Sequence, residues 1–285
     1  MMATIGSLYF SGQAVRQSTE QARQAQVAQT SERFSRSVEQ LGSDSMAVRV
    51  GSVYSFARLM RDSPDDQEAI VRILSGLVRV QTAQVSHPAR PKRQAAPADV
   101  RAALGVLADQ PEPRPVGVFG ILPTMLLDGV DFSGFELAYM PLRDAQLQGA
   151  NLSGANLQRA ALSSVTFTGA DLSGADLREA GLSGASLRGA SLKGADLSGA
   201  SLRDVYAKEA NLTGANLSGA ILIDGDLTGA NFTGAVMTRA HLTGADLTGA
   251  DLTRAVDIAH AVCSPQTIWP QSIPPAQRPL CTATG

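Results

Sequence analysis

Three histidines and two cysteines are the whole supply of imidazole and thiol in a chain of 285 residues, so nucleophilic and metal chemistry have few places to sit. His87 falls in a Pro-rich stretch, His241 in a repeated polar position and His260 near the C-terminal end. They supply neither the relay that activates a serine or cysteine nor the ligand set of a zinc site. Cys263 follows His260 by three residues, too sparse a pairing for a dyad. Cys263 and Cys281 are too few to read as a disulfide framework and are expected as free thiols. No GxxxxGKS/T run, dinucleotide fingerprint or HExxH is present. The expectation is a non-enzymatic protein with no cofactor and no metal.

What remains is the chemistry of charge. Lys and Arg number 24 and Asp and Glu 26, so the total says little about partners, but the distribution is uneven. Residues 1–125 carry fourteen basic and eleven acidic side chains, whereas residues 126–257 carry nine basic and fifteen acidic, a net of minus six. Asp131, Asp171, Asp176, Asp196, Asp226, Asp246 and Asp251 are the regularly placed acids of that second part. They are opposed by Arg178, Arg188, Lys193, Arg203 and Lys208, which reads as a solvated face. The one basic cluster, Arg90, Lys92 and Arg93, lacks any aromatic or recognition-helix accompaniment, so direct nucleic-acid binding is not expected.

Those acids are positioned by a period of five. Between Leu127 and Ala255 a Leu or Phe recurs every fifth residue, from Phe132 through Leu152, Leu172, Leu192, Leu212 and Phe232 to Leu252, giving 25 centres with Ala207 and Met237 the only replacements. Two residues before each centre stands Ala, except at Val130, Phe135, Met140, Val165, Val205 and Gly225. Five is neither the 3.6 of an exposed helix nor the 2 of a half-buried strand. A unit this small cannot bury its own apolar residues. It must stack on copies of itself, with Ala and Leu inside and Asp, Asn, Ser, Thr and Gly facing water.

Units such as Ala150-Asn151-Leu152-Ser153-Gly154 resemble those of the pentapeptide-repeat proteins, commonly written A-(D/N)-L-x-x. The resemblance implies a mainly β fold, a right-handed quadrilateral β-helix in which four units make one coil and the centre and the small residue before it point inward. Twenty-five units then make slightly more than six coils, a rod roughly 30 Å long at about 4.8 Å per coil. Some members of this family resemble double-stranded DNA in shape and charge and bind DNA gyrase. On that resemblance Asp171, Asp176, Asp196, Asp226 and Asp246 are the candidate mimic acids and a type II topoisomerase a candidate partner. The paired-rod C-terminal helix of such members has no counterpart in the Pro-rich residues 264–285.

The remainder is read as follows. Residues 13–110 form an α-helical module, with helices expected over 13–41, 45–61, 64–80 and 99–108. In the second, Val50, Val53, Ala57 and Met60 share a face flanked by Tyr54 and Phe56. Ile70, Ile73, Leu74 and Leu77 line the third. A basic, Pro-rich linker spans 81–97. The rod occupies 119–257, a cap 258–270 covers its last coil with Ile258, Val262, Ile268 and Trp269, and a frayed Pro-rich tail follows over 271–285. Glu39-Gln40-Leu41-Gly42-Ser43, Val48-Arg49 and Arg61-Asp62-Ser63 resemble landmarks of the helical segment that precedes the repeats in many bacterial members. Actinobacterial members similar to this chain from about Gln13 onward carry membrane-spanning helices just before that point, of which residues 1–12, a disordered or truncated leader, read as a remnant. No stretch has the length to cross a membrane and a cytoplasmic location is expected.

The functional expectation is therefore a scaffold that binds an unidentified protein partner, with protection of DNA gyrase or topoisomerase IV as the alternative. The candidate surface lies where outward positions stop being polar, at Tyr206, Ile221, Ile223 and Val236.

Overall fold

The computed structural model describes residues 2–83, 94–109 and 127–281. His87, Arg90, Lys92 and Arg93 lie outside the described residues.

No proline interrupts the chain before Pro64, and helix α1 runs unbroken over Met2–Leu41. Residues 2–12, expected as a leader outside the fold, are the first turns of this helix. Its last turns pack on α2 (Met46–Asp62), where Phe34 meets Phe56 edge to face at 5.8 Å. Beside that contact the Ser52 hydroxyl donates to the Ser37 carbonyl at 2.6 Å. In α2 the fully buried residues are Ser52, Val53, Phe56, Leu59 and Met60, so Phe56 lies at the centre of the packed face while Tyr54 stands 61% exposed. A single 3-10 turn at Pro64–Asp66 leads into α3 (Gln67–Ala83), which buries Ile70, Val71, Leu74 and Val78. Ile73 and Leu77, expected on that face, are partly buried at its edge.

After α3, strand β1 (Gln94–Ala95) precedes α4 (Ala98–Ala108). The helices are locked together by one buried ion pair. Arg49, in the first turn of α2, donates to the wholly buried Asp99 at 2.6 Å and also to the carbonyls of Ser43 and Asp44. Asp99 in turn accepts the N–H of Val100 at 3.0 Å. A charge buried in this way is tolerated because its other lone pairs are filled, and removing one partner strands the other.

The repeats then build the rod. Strand β2 (Val130–Asp131) pairs in parallel with β1, with Gln94 opposite Val130 and Ala95 opposite Asp131. From there every bridge joins residues twenty apart, from Asp131 with Asn151 to Val236 with Val256. Four units per coil follow directly, and the chain is a four-sided solenoid. The four outward columns begin at Asp131, Glu136, Pro141 and Gln146, and they are called faces one to four below. All 25 centres are buried, Phe132, Leu152, Leu172, Leu192, Leu212, Phe232 and Leu252 on the first face among them.

A stack of identical coils leaves an apolar hole at each end, and the two holes are closed differently. At the N-terminal end α4 lies across the first coil. Leu104 is 1% exposed and sits with the ring formed by Leu127, Phe132, Leu137 and Leu142, leaving a void of only about 10 Å³. Arg101 of the same helix holds its guanidinium 5.1 Å above the Phe135 ring.

At the C-terminal end the register is lost in sequence but not in space. A 3-10 turn at Ile258–His260 takes up extra residues, after which His241 bridges Val262 and Asp246 bridges Ile268. Separations of 21 and 22 replace the regular 20. Cys263 and Trp269 thereby follow the outward Val262 and Ile268 as a repeat centre follows its outward residue, and Cys263 is 1% exposed. Thr267 fastens the cap by donating to the Leu242 carbonyl at 2.7 Å.

The cysteines correct the sequence expectation. Cys263 and Cys281 form a disulfide, with their Cα atoms 4.6 Å apart. Residues 271–281, expected to fray, are tied back over the cap by that bond, and among them Pro275–Gln277 makes a further 3-10 turn.

Two outcomes are expected. Leu104→Ala opens the N-terminal hole and lowers the unfolding free energy by about 2–5 kcal/mol, read from chemical denaturation against wild type. Titration of the unfolded protein finds no free thiol before reduction and two after it, and reduction lowers the thermal midpoint, since crosslinking a loop of 18 residues contributes roughly 3 kcal/mol.

Candidate interaction surfaces of the rod

What the outward residues can do depends on what the frame already demands of them. Take the unit from Asn151 to Ala155. The N–H of Asn151 donates to Val130 one coil below, at 3.0 Å. Those of Leu152 and Gly154 donate to Asp171 and Ser173 one coil above, at 2.6 and 2.9 Å. The N–H of Ala155 closes the corner on the Leu152 carbonyl at 3.0 Å. The fifth, of Ser153, points away from both neighbouring coils and is accepted by the Asn151 side chain at 3.1 Å. All five donors are satisfied.

That last bond explains why Asp or Asn precedes twelve of the 25 centres. A short side chain ending in an acceptor reaches the N–H two residues on, which is the Asx turn. The candidate mimic acids all do this. Asp171 accepts from Ser173, Asp176 from Arg178, Asp196 from Ser198, Asp226 from Thr228 and Asp246 from Thr248, at 2.8 to 3.1 Å. This structural task was missed in the sequence, although the fixed offset from each acid to its corner is the signal that carries it.

The corner itself needs a left-handed residue. Gly174 is at φ +65° and a Cβ there would meet nothing within 4 Å, so its requirement is conformational. At Gly244 space matters as well, because a Cβ would collide with the Asp224 carboxylate one coil below. Among the described residues eleven others, Arg159, Glu179 and Asp224 included, adopt the same conformation without being glycine. Each does so at a cost in backbone strain that the surrounding ladder holds in place.

The twenty-residue register sorts the acids. Asp131, Asp171 and Asp251 stand on face one, Asp176 and Asp196 on face two, and Asp226 and Asp246 on face four. Asp176 and Asp196 are successive rungs, as are Asp226 and Asp246. The first pair is half neutralised, since Arg178 forms a two-pronged ion pair with Asp176. That contact holds the Asp176 carboxyl below its usual range. At one corner, in successive coils, Arg159 bonds Glu179 at 2.8 Å and lowers its carboxyl in the same way.

The apolar departures do not form one patch. Ile221 is on face three between Ser201 and His241, Tyr206 on face four between Ser186 and Asp226, and Val236 on face two. Ile223 follows the Leu222 centre at the corner between faces three and four. Tyr206 is 59% exposed, while the other three are half-buried. Tyr206, Ile221 and Ile223 therefore flank one edge of the rod, and Val236 belongs to the face opposite Tyr206. Its own neighbour is Val256, 47% exposed and the next rung of face two. Val256 was overlooked in the sequence although the five-residue count places it outward. None of the described helices packs against these residues. The helical module closes the N-terminal end, several coils away.

Imidazole and thiol are spent or scattered. His241 is exposed on face three, His260 lies 3.8 Å from Asp257, and Cys263 is consumed by its disulfide. Among the described residues no three His, Cys, Asp or Glu side chains gather as a metal site.

Acid should loosen the rod where carboxylates close its turns, Asp251 among them. Asp251 accepts from the Thr253 N–H at 2.9 Å and from the Thr233 hydroxyl at 3.1 Å. Hydrogen bonding by Thr253 holds its carboxyl below the ordinary value. A carboxylate whose folded pKa is depressed adds stability that is complete above its unfolded pKa of about 3.9 and is lost as pH falls through the folded value. The thermal midpoint is expected to be flat from pH 7 to about 5 and to fall below about 4. Asp251→Asn, which keeps the acceptor and removes the titration, should take away its share of that fall. A midpoint independent of pH down to 2 would contradict the assignment.

With this geometry in place, comparison with known proteins is informative. The family model for pentapeptide repeats matches residues 142–178, 180–219 and 220–256, in eight copies. Among solved structures, a trypsin-treated form of QnrB1, a plasmid-mediated fluoroquinolone resistance protein, is 30% identical over 50% of this chain and 69% of its own, with a TM-score of 0.40. HetL, a pentapeptide-repeat protein involved in heterocyst differentiation regulation in the cyanobacterium Nostoc sp. strain PCC 7120, is 31% identical over 52% of this chain and 82% of its own, at a TM-score of 0.25. A pentapeptide-repeat protein of the Arabidopsis thaliana thylakoid lumen is 32% identical over 48% and 77%, at 0.16. No curated protein matches the chain. The repeated unit, its inward and outward positions and the matched repeats agree, and the chain belongs to the pentapeptide-repeat family.

Proposed function

We propose that the rod is a non-enzymatic scaffold that seats a protein partner along the edge between faces three and four. The observation that carries this reading is the apolar edge made by Ile221, Ile223 and the 59%-exposed Tyr206, set between polar rungs, Ser201 and His241 on face three and Ser186 and Asp226 on face four. An isoleucine at position 221 forgoes the turn-closing acceptor that Asp or Asn provides, so this unit gives up a stabilising bond for an outward apolar surface. No described helix covers it.

Protection of a type II topoisomerase by DNA mimicry is the second reading. It is favoured by the successive acids Asp176 with Asp196 and Asp226 with Asp246, and QnrB1 is a fluoroquinolone resistance protein. Two features weigh against it. Arg178 neutralises one acid of the first pair. The Cys263–Cys281 disulfide belongs to oxidising surroundings, where thiols are not kept reduced, and a topoisomerase works on DNA in the reducing interior. The disulfide supports an oxidising compartment in place of the cytoplasmic expectation. No described helix is long and apolar enough to cross a membrane.

Two experiments separate the readings. In a pull-down, Ile221→Ser/Ile223→Ser should lose at least about tenfold of a specific partner while both proteins keep the same thermal midpoint. Equal recovery would remove the edge as the site. In a gyrase supercoiling assay no inhibition is expected. Inhibition that disappears in Asp176→Asn/Asp196→Asn, which preserves the turn bonds and removes the charge, would instead establish the second reading.

A further inference from the structure

The helical module carries a surface of its own that the rod reading does not use. Between α2 and α4 runs an open groove of about 880 Å³. Its floor is apolar, with Val50, Ala57, Met60, Ala102 and Val106 along it and Phe135 of the first coil at one side. Its rim is basic. Arg58 and Arg61 stand on α2 and Arg101 on α4, against the single carboxylate of Asp109. All three arginines are exposed, and none forms an ion pair with a described carboxylate. Tyr54, 61% exposed, completes the α2 side.

Length and charge together name the occupant. Val50 to Arg61 is twelve residues of α2 and Ala98 to Ala108 eleven of α4, so the groove is about 16 Å long, the reach of three helical turns. A phosphate backbone would meet the arginines but leave the apolar floor uncovered. An apolar helix would fill the floor but leave the guanidiniums without anions. We propose that the groove between α2 and α4 binds an acidic amphipathic helical segment of a partner protein, its apolar side on Ala102, Val106 and Phe135 and its carboxylates on Arg58, Arg61 and Arg101. This is helix-in-groove recognition with charge complementarity selecting the partner. Arg101 already has its guanidinium 5.1 Å above the Phe135 ring, which orders one of the three cations before binding.

Gly105 makes the test clean. It lines the groove within α4, and a Cβ built on it meets nothing within 4 Å. Gly105→Gln therefore improves helix propensity while filling the groove. The probe is a fluorescein-labelled synthetic helix of about sixteen residues, with leucines on one face and glutamates flanking them, titrated with the full chain by fluorescence anisotropy. Binding should be at least about tenfold tighter than for the same peptide with glutamine in place of glutamate, and should weaken as salt rises. Arg58→Glu/Arg61→Glu should cost about tenfold or more. Gly105→Gln should abolish binding with a thermal midpoint equal to or above wild type.

Several results would overturn the proposal. These are no binding, equal binding of the glutamine peptide, indifference to either variant, or displacement of the peptide by a short duplex DNA at equal charge. A benzophenone side chain placed at Tyr54 should crosslink to the peptide. Crosslinking to residues 110–126 of the same chain instead would show the groove to be occupied internally. None of these outcomes bears on Ile221 and Ile223, so this inference and the rod reading stand or fall separately.

Discussion

The structure depends on one constraint, that a backbone N–H with no strand beside it must find its acceptor in the coil above or below. Each regular five-residue unit sends two donors up and one down and closes a corner with the fourth, and where Asp or Asn precedes the centre the fifth goes to its side chain. Once these bonds are made at a fixed spacing of twenty residues, the interior takes one large and, in nearly every unit, one small side chain. The alternation of Leu and Ala is a consequence of that geometry. So is the intolerance of polar residues inside, because a carboxylate among Leu centres has no donor to meet and no water to leave it in.

The same constraint makes the ends the vulnerable places. Inside the stack every coil is covered by its neighbours. The first and last coils each present an apolar hole and an open ladder. The N-terminal answer is globular: β1 extends the ladder, and α4, held by Arg49 and Asp99, lays Leu104 over the hole. The C-terminal answer is made from the chain's own degenerate units, with Cys263 and Trp269 following the ladder residues Val262 and Ile268 and a disulfide drawing the last residues across.

The rod was legible because inward positions tolerate so few side chains that a period of five survives for 25 units. The helical module was legible in its element boundaries but less so in its faces. Phe56 and Tyr54 are two residues apart, and only the packing of α1 decides that the first is buried and the second exposed. The cap was hard to read because single-residue insertions before Val262 and Ile268 break the count while the spatial ladder continues. The cysteine pair was misread for a related reason. Seventeen intervening residues say nothing of distance until a cap folds them back. The candidate edge was half legible: Ile221, Ile223 and Tyr206 stand together, whereas Val236 belongs with Val256, since neighbours in sequence count become different faces after a turn. The acids were read as charge, and their turn-closing bonds emerged only when each N–H had been followed to its acceptor.

Four equivalent units per coil make chain length an angular variable. Duplicating or deleting one unit between, for example, Leu172 and Leu192 would leave every centre a centre and every corner a corner. It would rotate everything downstream by a quarter turn relative to everything upstream. Tyr206 and Ile221 would move to new sides together, still adjacent, while their bearing relative to α4 and the helical module changed by about 90°. In this architecture the relative direction of two surfaces can be reset in steps of five residues without touching the interior, and a step of twenty changes only how far apart they are.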